Sequence, residues 1–236
     1  MRGLALAGLL GVVLLPGAAG AAARPYLGLA AEYKRGDFGT GTASTLYSAV
    51  FNGGLVAEEW DAGFAMPFHV LSTEGEDSEI GAGDLVLHGG HTLVPEVRGF
   101  ALYGSAALKV PTADESAGLG TGETDAGAFL RASQRLGAWE TAVFGGYTVT
   151  GDPPGTDYND VAAYGVQLTR LLQGAAVYAG LEGRTAVTDD LEDPREAFVG
   201  GFRLLPGGRA LTVDAFAGLS DGSPDFGLRV GAVQWF

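Results

Sequence analysis

From Tyr26 onward, apolar and polar residues alternate with a period close to two. Trp60, Ala62, Phe64, Met66, Phe68 and Val70 share one parity, against Glu59, Asp61, Gly63 and His69. Ala128, Leu130 and Ala132 oppose Phe129, Arg131, Ser133 and Arg135, and Val177, Ala179 and Leu181 oppose Glu182 and Arg184. In an extended strand, alternate side chains point to opposite faces. Few windows carry an apolar stripe at helical spacing. Gly, Pro, Asp and Asn clusters separate the runs, which predicts twelve strands. These lie over 26–35, 42–52, 55–71, 84–94, 100–112, 126–136, 138–149, 160–172, 175–187, 196–205, 209–219 and 225–236. Ten result if 26–52 is not a full hairpin.

The connections alternate in length. Short ones fall at Gly53-Gly54, 95–99, Gly137, Gln173-Gly174 and Pro206-Gly207-Gly208. Longer ones fall at 36–41, 73–83, 113–125, 150–159, 188–195 and 220–224. An antiparallel up-and-down array with tight turns at one end and long loops at the other has the layout of an outer-membrane barrel. A soluble barrel turns its charges outward, and a transmembrane barrel inverts the faces. Periodicity alone does not choose between them.

Other features do. Residues 1–23 have the form of a secretory signal: Arg2, an apolar run from Leu4 to Leu15, a Pro16-Gly17 break, then Ala18 to Ala23 for cleavage. The run is too short, and too broken by Pro16, for a spanning helix. Phe236 is in phase with Leu228, Val230 and Ala232, and Trp and Tyr sit near strand ends. The expected organisation is therefore a signal peptide over 1–23 and an all-β, antiparallel up-and-down transmembrane β-barrel over 24–236. The expected location is the outer membrane of a two-membrane bacterium. The expected partners are outer-membrane lipid, lipopolysaccharide, and the barrel-assembly machinery, engaged through the strand ending in Phe236.

Charge sharpens this picture. The 236 residues hold 14 Lys plus Arg against 28 Asp plus Glu, a formal charge of −14. Nucleic-acid binding needs the opposite balance. With no cysteine, disulfides, thiol nucleophiles and Cys-based metal sites are excluded. Sixteen of the acids fall in the six long loops, with Arg195 as the lone base.

The polar parity gives the candidate lumen lining: Glu32, Glu59, Asp61, His69, His88, Lys109, Arg131, Arg135, Glu140, Glu182, Arg184, Asp214 and Arg229. These charges either pair and fill the barrel or border a narrow polar path. His88 and His91 point to opposite faces and cannot chelate one ion together. His69 and His88 could meet across a hairpin, but two ligands make a poor zinc site. Asp189-Asp190-Leu191-Glu192-Asp193 lacks calcium-loop spacing. Gly118-Leu119-Gly120-Thr121-Gly122 has strands on both sides and acidic neighbours, unlike a phosphate cradle. No cofactor or metal is expected. Ser72 and Ser105 lie within about a strand of His69 and His88, which keeps a lipid hydrolase in view. No G-x-S-x-G elbow accompanies them.

One stretch carries a resemblance. Leu108-Lys109-Val110-Pro111-Thr112-Ala113-Asp114 is followed by Gly118 to Gly122, Asp125 and Gly145-Gly146-Tyr147-Thr148. This order of strand ending in K-x-P-T, Gly-rich loop, strand, turn and strand with G-Y-T resembles the outer-membrane barrels of the MetA-pathway-of-phenol-degradation family. That family is loosely related to FadL-type carriers of hydrophobic compounds. The segment Trp60 to Pro67 and Gly81-Ala82-Gly83-Asp84-Leu85 also fit it. Ala113 stands where the family often has Gly. The resemblance implies passive passage of small hydrophobic or aromatic molecules. The residues themselves also allow a non-conducting structural or surface-binding barrel.

Overall fold

The computed structural model describes residues 22–236; the expected signal over 1–23 lies almost wholly outside them. Thirteen strands form in order: β1 (Arg24–Gly36), β2 (Ser44–Val56), β3 (Trp60–Thr73), β4 (Glu79–Ala82), β5 (Leu85–Val97), β6 (Phe100–Val110), β7 (Asp125–Leu136), β8 (Trp139–Val149), β9 (Val161–Leu172), β10 (Ala175–Arg184), β11 (Arg195–Leu205), β12 (Arg209–Gly218) and β13 (Phe226–Trp235). Apart from β4 and β5, consecutive strands pair antiparallel, and β13 pairs with β1 from Tyr26↔Trp235 to Arg35↔Phe226. The ring closes through β1 and β13, and within it the short β4 pairs with β3 alone. β4 and β5 pair with β3 in series, so they form one stave and the barrel has twelve.

The break between β4 and β5 has a local cause. Pro67 of β3 has no N–H for the ladder. Opposite it, Gly83 N–H donates to the Pro67 carbonyl at 2.9 Å, and Leu85 N–H turns away to Thr112 Oγ1 at 2.9 Å. The register moves by one residue between Phe68↔Ala82 and Ala65↔Val86. One extra residue in one strand is a bulge, and a bulge re-aims side chains. The stave expected over 84–94 is therefore kinked and longer.

A second expectation is corrected at Gly53-Gly54. Both glycines lie inside β2, and the turn falls at 57–59. A Cβ on Gly54 would come within 2.2 Å of the Ala62 carbonyl oxygen. The pair serves close strand approach, not a turn. At 98–99, by contrast, Arg98 and Gly99 have φ of 54° and 86° and make the two-residue hairpin turn.

The alternation of faces follows through the ring. Leu27 (58% exposed), Phe51 (57%) and Val199 (56%) stand on the outer wall among many other large apolar side chains. Asp61, Lys109, Asp125 and Asp214 are buried inside. The end with turns at 57–59, 98–99, 137–138, 173–174 and 206–208 is tight. The other end carries 37–43, 74–78, 111–124, 150–160, 185–194 and 219–225. These six loops hold sixteen carboxylates and no Lys or Arg, since Arg195 begins β11.

Candidate functional site

The interior of the barrel gathers the chemistry. The pairing register places Glu32, Asp61, His69, His88, Lys109, Arg131, Arg135, Glu140, Glu182, Arg184, Asp214 and Arg229 on the inward parity. Glu59 is not among them. It lies in the exposed turn before Trp60, because β3 begins later than its alternation suggested. Lys34, Asp84, Asp125, Ser48, Glu196 and the tyrosines 26, 103 and 178 join the interior without having been singled out.

Near the long-loop end, Lys109 is only 1% exposed. Its ammonium lies 2.8 Å from Asp125 Oδ2, 3.7 Å from Asp84 Oδ2 and 2.8 Å from Thr121 Oγ1. Asp84 Oδ1 also accepts the N–H groups of Thr112 and Ala113, both at 3.0 Å. Thr112 Oγ1 donates to the Gly83 carbonyl at 3.2 Å. The K-x-P-T residues thus tie the 111–124 loop to the bulge. A buried cation between two carboxylates satisfies all three only if it stays charged and hydrogen-bonded.

Nearer the tight-turn end, Asp61 accepts a short hydrogen bond from the Tyr103 hydroxyl. His88 Nε2 lies 3.9 Å from Asp61 Oδ2 and 3.4 Å from the Tyr26 hydroxyl. His88 Nδ1 is buried with no hydrogen-bond partner among the described residues. A Cβ on Gly90 would come within 1.8 Å of the Tyr103 hydroxyl, so glycine there makes room for the ring.

On the β10–β13 wall, Asp214 accepts from Tyr178 at 2.5 Å and from Arg229 Nε at 3.0 Å. Arg229 and Lys34 approach the Phe216 ring at 5.2 and 5.7 Å. Lys34 pairs with Glu32 at 3.0 Å, and Arg131 with Glu140 at 3.4 Å. Arg135 pairs with Glu96 at the tight-turn end. Glu182 and Glu196 face each other across β10 and β11.

His69 and His88 both face inward but do not meet: His69 Nδ1 bonds Ser48 Oγ at 2.8 Å. Among the described residues, no cluster of three His, Cys, Asp or Glu side chains has metal-site geometry. Ser72 shares the outward parity of Phe68 and bonds Ser78. Ser105 is inward, beside Gly90 and Phe129, with no histidine bonded to it among the described residues. Ser48–His69 is the serine–histidine pair present, and no carboxylate is hydrogen-bonded to that imidazole among the described residues.

The fold is shared with outer-membrane barrels. The chain is similar to the COG4313 outer membrane channel from Pseudomonas putida F1, with a TM-score of 0.76 over 94% of this chain and 100% of that one, at 16% identity. It is also similar to the translocator domain of the autotransporter NalP from Neisseria meningitidis, with a TM-score of 0.58 at 13% identity, covering 92% and 89% of the two chains. LpxR from Salmonella typhimurium matches with a TM-score of 0.53 at 10% identity, over 89% of this chain and 100% of that one. No protein-family model and no curated protein sequence matches the chain.

Proposed function

We propose that this chain is an outer-membrane barrel that lets small molecules cross passively. The observation that carries this reading is the inversion of faces: apolar side chains outside, paired charges and hydroxyls inside, in a closed ring. That arrangement suits lipid outside and a polar interior. Similarity of fold to a protein described as an outer membrane channel supports it.

The substrate class rests on the phenol-pathway resemblance: small hydrophobic or aromatic molecules. Tyr26, Tyr103, Phe129, Tyr178, Phe198 and Phe216 on the inward parity are consistent with it. The outward row ending in Phe236 suits recognition by the assembly machinery. The acidic loops suit a lipopolysaccharide layer bridged by cations. Among the described residues no carboxylate is hydrogen-bonded to the His69 of Ser48–His69, which favours passage over lipid hydrolysis.

A second reading, a non-conducting barrel, draws on the loop pinned at Lys109 and on the ion pairs across the interior. Single-channel recording in planar bilayers separates the two. Discrete openings support passage. Silence from protein shown to be folded and inserted overturns it. Phospholipid turnover that is lost in Ser48→Ala would move the chain to the hydrolases.

A further inference from the structure

The outer wall is not uniformly apolar. Arg170, Arg203 and Arg209 point outward near the tight-turn ends of β9, β11 and β12. Arg170 pairs across β8–β9 with Trp139, which is 47% exposed on the outer wall. Arg203 pairs with Ala175, and Arg209 with Leu205 and Gln234. Because Arg203 pairs with Leu211, Arg209 is its diagonal neighbour, about 7–8 Å away in such a ladder. Arg170 and Arg203 flank β10, about two strand spacings or ~10 Å apart. Between them lie Ala175 and Val177, which leave the ground between the guanidinium groups low.

Among the described residues, none of the three is ion-paired. The outward parity of β9 to β12 contains no carboxylate, and neither do the turns at 137–138, 173–174 and 206–208. Arg170 lies over the Trp139 ring at 5.0 Å, and Arg209 Nε donates to the Pro206 carbonyl at 3.1 Å. Arg203 and Arg209 are exposed. Like charges set close on one face repel unless an anion sits between them. Farther along the same wall, Val177, Leu181, Val199, Leu211 and Val213 offer an exposed apolar surface. An anion with a long apolar body matches both parts.

We propose that this face of β9 to β12 binds an anionic phospholipid of the periplasmic leaflet. The phosphate would lie among Arg170, Arg203 and Arg209, and the acyl chains along the valines and leucines. Trp139 fixes the depth, as aromatic residues do at a headgroup interface. The opposite rim, with its carboxylate-rich loops, repels such a headgroup. The lipid therefore also favours one orientation of the barrel in the bilayer. The inference rests on the membrane placement proposed above and requires nothing about conduction.

The test is lipid retention by the full-length protein in detergent, read by native mass spectrometry during titration with phosphatidylglycerol or phosphatidylcholine. The wild-type protein should retain phosphatidylglycerol preferentially. Each arginine removed should weaken that binding about fivefold, the contribution of one basic residue at an anionic surface. R203Q/R209Q should therefore lose about 25-fold, R203K/R209K should keep most of the affinity, and R35Q at the far end should change nothing. Heat-dependent gel mobility shows that each variant is folded. No preference for phosphatidylglycerol in the wild type, or equal retention by folded R203Q/R209Q, overturns the site. Channel activity with no lipid preference would overturn this inference alone.

Discussion

Two inward aspartate clusters show how differently one barrel treats the same group. Near the long loops, Asp84 and Asp125 meet Lys109, itself bonded to Thr121, and three backbone N–H groups. Nearer the tight turns, Asp61 meets a tyrosine hydroxyl and a more distant histidine, and His88 Nδ1 is left over. The first cluster is saturated, with each charge opposed, and it ties a bulge to a loop. The second is hydrogen-bonded but not closed. Saturation suits a fixed support. An incompletely bonded group is less firmly held.

The largest effect that could break this contrast is at Lys109. Lys109→Met leaves two buried carboxylates facing each other with no cation. Removing one partner of a buried ion pair costs about 3–5 kcal/mol. Denaturant unfolding of detergent-folded protein should show that loss, together with faster proteolysis of the 111–124 loop. Asp61→Asn should cost less, about 1–2 kcal/mol, because the amide oxygen still accepts from Tyr103. Equal losses at the two sites would erase the distinction. If the barrel conducts, Asp61→Asn should alter ion selectivity and Asp125→Asn should not.

The unequal clusters also show where strand alternation informs and where it stops. Lys109 was visible because a lysine in phase with alternating small residues stands out. Its partners were not, since Asp84 reaches it only through the bulge, and a bulge depends on the pairing register. Asp125 read as part of a loop, yet it opens β7. Tyr103 and Tyr178 share the parity of Lys109 and Glu182, so the signal was present. Aromatic residues suit a lipid-facing wall as well as an interior, and their hydroxyl partners lie on distant strands. Glu59 was misplaced for the converse reason: reading Gly53-Gly54 as a turn starts the next strand too early. The twelve staves and the long–short loops were legible because they depend only on local period and turn residues.

A smaller effect concerns the two rims. Neutralising Asp189, Asp190, Glu192 and Asp193 together should leave stability nearly unchanged, since the group is mostly exposed. It should reduce cation preference in reversal-potential measurements at low salt. At higher salt the difference should fade, because the screening length falls to about 8 Å near 0.15 M. A cation preference that ignores both the substitution and the salt would place the filter inside, among Asp61, Glu182 and Asp214. Anion preference would mean that the interior arginines outweigh the rim.

The smallest expected effect separates the fixed part of the 111–124 loop from its exposed part. Asp114 accepts hydrogen bonds from the Ser116 hydroxyl at 2.6 Å and from the Ser116 N–H at 2.9 Å. Those bonds, the hydroxyl first, hold its carboxyl below the usual aspartate range. A depressed folded-state pKa means that the turn is favoured when the carboxyl is ionised. Its contribution is fully present above the ordinary aspartate range and is lost as pH falls through the depressed value. The residue is exposed, so the change should stay local. Backbone hydrogen exchange at 114–118 should rise below about pH 4, independently of exchange at Thr112 and Ala113, which Asp84 holds through separate hydrogen bonds. Ser116→Ala should raise the Asp114 midpoint toward the ordinary value and leave Thr112 and Ala113 protected. If both segments loosened together in the wild-type protein, the loop would be one unit. The anchor at Lys109 would then not isolate its base from its tip.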